Sequence, residues 1–483
     1  MIHLLITGKH YIDFSLERDE ALRQIVEESP PAFQSRNIPP WPAVEDVLAK
    51  ALTKDPAGRF SSVAAFAAAL VSVGEPPAPI ILLDRNQSSF PTALESLKKI
   101  LNRLSLRAPL LLSGLPDAPR TSITYGSAGV ACALHRIACA RQDPQLLSLA
   151  DLWGERATRE LQLDDAWYCA DIEITPDVVG RVSPYHTESG VHFVKFLIAY
   201  SMGDVSTQMQ ALDSFIAKSL QTDCDTLDVT LGRSGTLLAA AHLLATMSSA
   251  TMVNTSRLRD LGDTTMASIW RQLDSYASIR ECREIRHSGI AHGWAGILYA
   301  TLSWCRASGS GLPRNMEARL DQLAALAHRS GRQASWSWTI AGEPGDTSTA
   351  IMGGWCGGTA GQVHLWLAAH AALKDDRYLV LANLAGCHVA QIDSQNGSLC
   401  CGLSGQAYAL LALYRSTNDR AWLYRACTLA ERAALAYRHP ESQYSMASRI
   451  DSLYKGELGV AVLAADLENA DFSAMPAFEF TEG

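Results

Sequence analysis

Two short stretches, Trp355-Cys356-Gly357-Gly358-Thr359-Ala360-Gly361 and Leu399-Cys400-Cys401-Gly402-Leu403-Ser404-Gly405, decide how this sequence is interpreted. Each places cysteine just before a G-x-x-G turn, and each turn opens an apolar run, 362–372 in the first case and 406–413 in the second. Cysteine thiolates held at the starts of two helices are a suitable place for a soft metal ion. The pair therefore indicates both a helical repeat and a candidate metal site.

The same turn recurs along the chain with a spacing of 44 to 65 residues. Seven turns, six of them true G-x-x-G, begin at Gly126, Thr187, Gly232, Gly293, Gly358, Gly402 and Gly456. Each is followed by a stretch rich in alanine, leucine and valine, and then by a more amphipathic segment, such as 316–327 or 422–436. One repeat therefore encodes a buried helix and a half-exposed helix.

A helix that is apolar almost all round must be covered on all sides. Seven such helices, each with a covering helix, close into an α/α toroid. The predicted fold class is therefore all-α, a seven-repeat α/α toroid (a double ring of helices). Its seven turns ring one end of the barrel, which we call the mouth, and the glycines let the chain turn tightly there. An open helical solenoid is the alternative.

The composition restricts the class of protein. The chain has 483 residues, with 41 basic and 50 acidic side chains and a net charge of −9, and no basic stripe stands out. These numbers argue against nucleic acid as a partner. We expect no membrane partner, because no apolar run reaches the roughly 18 residues of a membrane span, and we see no signal peptide. Eleven scattered cysteines are no disulfide framework, so we predict a cytoplasmic protein with free thiols.

Clusters of proline and glycine suggest the domain boundaries. The repeats occupy residues 121–475, and residues 76–120 are predicted to be a linker that contains a helix over 93–104. Residues 476–483 form a tail. Residues 1–75 are a separate, short helical segment.

Cys356, Cys400 and Cys401 lie at turns five and six, which are neighbours in a closed ring. A vicinal pair with one cysteine from the next loop can place three sulfurs about a tetrahedral Zn²⁺, with the fourth position open as in catalytic sites. The alternative is that these are small residues tolerated beside glycine, like Cys132 and Cys139 in helices. Their occurrence at equivalent positions of successive repeats favours the metal.

Two further polar residues stand close to turns. His292 directly precedes Gly293 at the start of the fourth inner helix, where an imidazole would face the mouth and could act as an acid or base near neutral pH. A capping or merely exposed histidine is the alternative. Asp228 lies four residues before Gly232 in an otherwise apolar segment. An aspartate at such a place is most often a capping residue.

These motifs resemble those of a LanC-type lanthionine cyclase domain. The resemblance implies a seven-repeat α/α toroid with a zinc ion held by Cys356, Cys400 and Cys401, in the Cys-Cys-Gly variant of the motif. It also implies that His292, in the A-H-G motif, is the general acid/base, and that Asp228 is the family's aspartate before the third turn. The sequence departs from the family at two positions. Some cyclases have an arginine where this chain has Met352, and tyrosine or histidine is frequent where it has Gly357.

Residues 1–75 resemble the C-terminal helices of a Ser/Thr protein kinase lobe. Helical spacing over 44–52 is followed by a D-P-x-x-R loop, Asp55-Pro56-Ala57-Gly58-Arg59, and by a second apolar helix over 63–71. No Gly-rich loop, strand lysine, H-R-D or D-F-G precedes this segment, so we expect no kinase activity from this inactive remnant. The whole chain resembles the C-terminal part of a class III/IV lanthipeptide synthetase, in which lyase, kinase and cyclase are fused.

The resemblance implies a reaction in which a peptide cysteine adds to dehydroalanine or dehydrobutyrine with the help of zinc. The partner would be a precursor peptide with dehydrated Ser/Thr and free Cys, and a separate kinase or lyase is a further candidate partner. One alternative is a non-catalytic zinc-containing module that binds a peptide or partner. Another is addition of a small thiol such as glutathione to dehydroamino acids. A terpene cyclase would need D-D-x-x-D, and a glycosidase two carboxylates such as Asp228 and Glu457; cysteines at two successive turns disfavour both.

Overall fold

The computed structural model describes residues 11–12, 18–30, 33, 41–73, 90–180, 182–220, 224–247, 254–340, 350–438 and 449–480. The chain divides into two compact units, Met1–Ser88 and Ser89–Gly483. Among the described residues, no helix combines the length and the apolar character that crossing a membrane requires.

The first unit contains the helices α1 (Arg18–Glu27), α2 (Pro42–Ala51) and α3 (Val63–Ser72). Its buried core is small and consists of Phe33, Val44 and Leu48. The two helices that the sequence predicts here are observed as α2 and α3. The Ser62 hydroxyl accepts a hydrogen bond from the Ala65 amide and caps the start of α3, as serine does at many helix starts.

The second unit is almost entirely helical. In chain order its helices are α4 (Pro91–Leu104), α5 (Leu110–Ser113), α6 (Ser127–Arg141), α7 (Pro144–Glu160), α8 (Pro176–Val179), α9 (Glu188–Met202), α10 (Val205–Leu220), α11 (Arg233–Met247), α12 (Ser256–Leu273), α13 (Trp294–Ser308), α14 (Met316–Ala324), α15 (Thr359–Leu373), α16 (Asp376–Val389), α17 (Leu403–Thr417), α18 (Arg420–Ala436) and α19 (Leu458–Glu468). One antiparallel hairpin, β1 (His328–Ser330) and β2 (Gln333–Ser335), follows α14.

Seven of these helices form a closed inner ring, namely α6, α9, α11, α13, α15, α17 and α19. Each contacts the next one in this order, and α19 contacts α6. Every residue of α17 from Leu403 to Tyr414 is buried, as expected for a helix that is apolar on all sides. The outer helix α7 instead buries one stripe, which includes Leu149, Trp153 and Ala157. The predicted α/α toroid is confirmed, and ring closure excludes the open solenoid.

The outer helix that covers the last inner helix, α19, comes from the part of the chain that precedes the first repeat. The helix α4 packs against α19 and α18, and Lys99 and Arg103 on its surface pair with Glu457 and Asp451 at 2.6 and 2.8 Å. These residues were predicted to belong to a linker, whereas in the structure α4 is an outer helix of the toroid. The reason is that α19 is apolar all round, and the described residues after it, 469–480, contain no α-helix that could cover it.

Residues 476–480 fill the middle of the toroid. Phe478 is fully buried, and its ring centroid lies 4.6 Å from that of Tyr299 and 5.1 Å from that of Trp355. The hydroxyl of Tyr185 donates to the carbonyl of Ala477 at 2.9 Å. Residues 476–480 of the predicted tail are therefore part of the core, because seven inner helices leave space on the ring axis. The remaining three residues, 481–483, lie outside the described part of the chain.

Candidate metal centre

Hydrogen bonds between backbone groups join the seven turns into a belt around the mouth. Its members each stand two positions before the first residue of a turn: Thr124, Tyr185, Thr230, Ala291, Cys356, Cys400 and Tyr454. At six of the seven steps the amide of one member donates to the carbonyl of the next, over 2.8 to 3.4 Å. The belt holds in register the residues that directly precede the turns, which are Tyr125, His186, Leu231, His292, Gly357, Cys401 and Lys455. Residues far apart in the chain thereby become neighbours.

The three predicted metal ligands lie together on this belt. The sulfur of Cys401 is 3.3 Å from that of Cys356 and 3.4 Å from that of Cys400, and all three sulfurs lie within 4.8 Å of one another. Cys356 is buried, and the other two are half-buried. Gly354 allows this approach, since a Cβ atom there would lie 2.7 Å from the backbone of Cys401.

This donor set fits a zinc ion. Zn–S bonds of about 2.3 Å in a tetrahedron separate the sulfurs by about 3.8 Å, close to the observed distances. Soft thiolate ligands select zinc or copper(I) over hard cations. Three protein ligands leave a fourth position for water or a substrate atom. The described residues therefore form a three-cysteine site that could hold a metal.

The thiols share their protons unequally. Hydrogen bonding with Cys400 and Cys401, together with burial, raises the pKa of Cys356 well above its usual value. Hydrogen bonding with Cys356 and Cys400 lowers the pKa of Cys401, and the charge of Lys455 acts in the same direction. Cys401 is therefore the sulfur that most readily carries negative charge, the form in which cysteine binds metal.

Lys455 also lies at the thiol cluster, although it was not among the residues predicted from the sequence. Its Nζ atom lies 3.4 Å from the sulfur of Cys401. The negative charges of Cys400 and Cys401 raise the pKa of this lysine. A signal for it does exist in the sequence, because Lys455 directly precedes turn seven as Cys401 directly precedes turn six.

His292 and Asp228 also come together at the mouth. Nδ1 of His292 lies 3.1 Å from Oδ2 of Asp228 and 3.0 Å from the hydroxyl of Thr230. The other carboxylate oxygen, Oδ1, accepts the Leu231 amide at 2.6 Å. Asp228 therefore caps its own turn and at the same time orients the imidazole. The amide of Ala291 donates to the Cys356 carbonyl at 2.8 Å, so His292 belongs to the turn beside the first cysteine.

A side chain at position 357 would clash with a neighbouring residue, which explains the glycine there. A Cβ atom on Gly357 would lie 1.9 Å from the indole ring of Trp338. That indole stacks on His287 with a centroid distance of 4.3 Å and meets His292 edge-on at 6.3 Å. An aromatic side chain from the loop between β2 and α15 thus occupies the space that a side chain at 357 would need. Nothing in the local sequence pattern marks Trp338 as part of the mouth.

Other polar residues near the turns are accounted for by their surroundings. His186 is buried without a hydrogen-bond partner for Nδ1, and burial, followed by the charges of His292 and Lys455, lowers its pKa to about 3. It is therefore neutral near pH 7. Glu457 is buried in its ion pair with Lys99, which removes it as the second free carboxylate of a glycosidase.

Comparisons with known proteins agree with this architecture. The family model described as "Lanthionine synthetase C-like protein" matches residues 91–480, beginning at the first residue of α4. The solved structure of a protein named Nisin cyclase superposes with a TM-score of 0.56 over 78% of this chain and 94% of that chain, at 15% identity. At that identity the likeness concerns the fold.

A curated protein, Glutathione S-transferase LANCL1 of Danio rerio, is 28% identical over 198 residues. The aligned part is 40% of this chain and 45% of that protein, so the chain spans less than half the length of this relative. Because the family match begins at residue 91, it does not extend to residues 1–75, and the kinase-like resemblance of that segment stays a prediction.

Proposed function

Because this chain belongs to the lanthionine synthetase C-like family, we propose that it is a zinc-dependent lanthionine-type cyclase. It adds cysteine thiolates of a peptide to dehydroalanine or dehydrobutyrine and thereby forms thioether rings. The observation that carries the proposal is the position of the three-sulfur cluster and the His292–Asp228 pair on neighbouring, hydrogen-bonded turns of one mouth.

The metal ligands in this proposal are Cys356, Cys400 and Cys401. When bound there, zinc would lower the pKa of a substrate thiol and supply it as a nucleophilic thiolate. The protein contributes a partly buried pocket of three sulfurs whose backbone is fixed by the belt, so that the ligands need little reorganisation on metal binding.

His292 is proposed to handle the proton of the reaction. The thiolate sulfur forms a bond to the β-carbon of the dehydroamino acid, and the electron pair of the C=C bond moves into an enolate. The thiol has released its proton on becoming a thiolate, and the α-carbon must then receive one, so that no proton is gained or lost overall. Since Nδ1 of His292 faces Asp228, we assign the donation of this proton to Nε2, which lies 3.4 Å from the Thr230 hydroxyl. Asp228 holds the imidazole in this orientation and stabilises its protonated form, as in other histidine–carboxylate pairs.

The proposed substrate is a precursor peptide with dehydrated Ser/Thr and free Cys. The mouth itself offers no phosphate-binding Gly-rich loop and no H-R-D or D-F-G sequence, so we propose that dehydration takes place outside the mouth, with a separate kinase or lyase as a candidate partner. The reaction at the mouth needs only the thiol and the activated double bond.

Glutathione addition to dehydroamino acids is the second candidate function. It is favoured by the relative named a glutathione S-transferase, at 28% identity over 198 residues. The chemistry at sulfur and at the α-carbon is the same, and only the source of the thiol differs.

Elemental analysis of the purified full chain, beside Cys356→Ala and the matched control Cys387→Ala, tests the metal. Cys387 is a half-buried free thiol on an outer helix. We expect about one zinc per chain in the wild type and the control, and none in Cys356→Ala. A folded wild-type protein without zinc would overturn the cyclase proposal in favour of a binding module.

The reaction is then assayed by mass spectrometry. A dehydrated peptide with one free cysteine is supplied alone, or with its cysteine blocked and glutathione added. Loss of the free thiol without mass change supports cyclisation, and a gain of one glutathione supports the second function. Zinc-loaded protein with neither activity contradicts both.

A further inference from the structure

Lys455 is fixed beside the thiol cluster by its own backbone. The residue before it, Tyr454, accepts the amide of Cys400 at 2.9 Å, and the hydroxyl of Tyr437 donates to the Lys455 carbonyl at 3.1 Å. These contacts place Lys455 on turn seven at the same level as Cys401 on turn six. The 3.4 Å between Nζ and the Cys401 sulfur is thus the result of the belt geometry and not of a freely moving surface lysine.

The electrostatics of a three-thiolate site explain why a cation belongs there. Three thiolates on a divalent ion leave one net negative charge, and an incoming substrate thiolate adds a second. A partly buried net charge is costly unless a countercharge lies close to it. Glu457, two residues after Lys455, is already paired with Lys99 at 2.6 Å. Glu457 therefore has its own countercharge, and the ammonium group of Lys455 is available to the sulfurs.

We propose that Lys455 is a positioning residue of the metal centre: its ammonium group donates an N–H···S hydrogen bond to Cys401 and balances the charge of the third thiolate. The inference rests on the proposed metal site and deepens it. It accounts for a donor set made of three cysteines. A third thiolate adds a negative charge that a neutral third ligand would not add, and the lysine offsets that charge. It also assigns turn seven a part in the site.

Metal affinity tests this role without relying on turnover. The purified full-length wild type, Lys455→Met, Lys455→Arg and the control Lys218→Met are each titrated with zinc against a chromophoric chelator. Lys218 pairs with Glu188 at 2.8 Å, in a salt bridge that includes none of the three cysteines. Replacing a residue that orients a metal ligand typically costs 10- to 100-fold in affinity. We expect a loss of that size in Lys455→Met, partial recovery in Lys455→Arg and no change in Lys218→Met.

Cobalt substitution gives an independent signature. An N–H···S bond lowers the energy of the sulfur electrons, so its removal should shift the sulfur-to-cobalt charge-transfer bands to lower energy. The shift is expected in Lys455→Met, smaller in Lys455→Arg and absent in Lys218→Met. Circular dichroism of each variant checks folding, and Lys455→Leu, which also lacks a hydrogen-bond donor, replaces Lys455→Met if the latter does not fold.

The outcomes separate the inference from the function on which it rests. Wild-type affinity and wild-type cobalt bands in Lys455→Met would overturn the role of Lys455 and leave the zinc site standing. A wild type that binds no zinc or cobalt would overturn the proposed function together with this inference. Weakened binding and shifted bands in Lys455→Met alone would support both.

Discussion

Nδ1 of His292 and Oδ2 of Asp228 are 3.1 Å apart although 64 residues separate them in the chain. The contact exists because turns three and four are neighbours in the ring, and Val229 and Thr230 donate their amides to the carbonyl of Ala291 at 3.1 and 3.2 Å. The carboxylate is therefore held on the imidazole by the backbone of both turns.

Asp228→Asn should keep the shape of the pair and remove its charge. An imidazolium without its carboxylate is less stable, so we expect thiol addition to slow by about 10- to 100-fold, part of the 10²- to 10⁴-fold that acid–base catalysis contributes. Zinc content should stay at the wild-type level. The measurement is kcat/KM with a dehydrated peptide. Asp213→Asn, at an exposed ion pair with Arg257, serves as the control, and equal rates in the two variants would remove Asp228 from the proton-transfer machinery.

Gly357→Ala should displace Trp338 from the mouth. The new Cβ atom would overlap the indole at 1.9 Å, and such overpacking costs about 1–3 kcal/mol of unfolding free energy. Urea denaturation and tryptophan fluorescence measure the two effects. In Gly311→Ala the added Cβ meets nothing within 4 Å, so this variant should be neutral.

A double variant makes the same test sharper. Combining Gly357→Ala with Trp338→Ala should cost less than the sum of the two single changes, because the overlap disappears with the indole. If the two losses of unfolding free energy simply add, Trp338 is not the reason that residue 357 must be glycine.

Leu97→Ala should destabilise the ring, although residue 97 lies before the first repeat. Leu97 is fully buried on α4, and removing a buried leucine side chain costs about 2–5 kcal/mol. The unfolding transition of the ring unit should shift, as followed by urea denaturation of the full chain. Leu106, which is 64% exposed just after α4, provides the control Leu106→Ala. A ring transition unchanged by Leu97→Ala would contradict the assignment of α4 as a covering helix.

Stability should fall as the pH is lowered below 6.5, because histidines that are buried in neutral form must charge on unfolding. Burial, followed by the charges of His135 and Arg136, lowers the pKa of His242 from 6.5 to about 3. Below pH 6.5 the unfolded chain binds the proton and the folded chain does not until about pH 3. The free energy of unfolding therefore decreases over this window, by up to about 1.4 kcal/mol per pH unit for each such group.

His242→Phe should flatten this dependence between pH 6.5 and 4. The imidazole packs between Phe193 and Phe480, with centroid distances of 5.3 and 5.4 Å, so phenylalanine suits the site. Urea denaturation at a series of pH values gives the slope. A slope equal to that of the wild type would mean that His242 does not stay neutral in the fold.

The turns show which features of the fold could be predicted from the sequence. Glycine pairs and the apolar runs after them are local signals, and they predicted the inner helices and the toroid, which the structure and the fold match confirm. The clustering of Cys356, Cys400 and Cys401 could be predicted for the same reason, since equivalent positions of successive repeats must meet once the ring closes. The roles of these cysteines, of His292 and of Asp228 remain proposals.

Contacts that join unlike positions could not be predicted in this way. Trp338 approaches the mouth from a loop outside the repeat pattern, and the space it fills is visible only as a missing side chain at Gly357. Lys455 had a positional signal, but a lysine before a glycine turn is ordinary on a protein surface. What distinguishes Lys455 is the distance of 3.4 Å between its Nζ atom and the sulfur of Cys401.

The sequence by itself determined the period, the number of turns and which residues stand beside them, because periodicity and turn chemistry act over a few residues. Only the tertiary structure decided that α4 covers the last inner helix and that residues 476–480 fill the ring axis. It also decided that the ammonium group of Lys455, on turn seven, lies beside Cys401 on turn six. These features depend on which surfaces remain uncovered after the ring has closed. That is a property of the whole assembly of helices, and no single segment of the chain carries it.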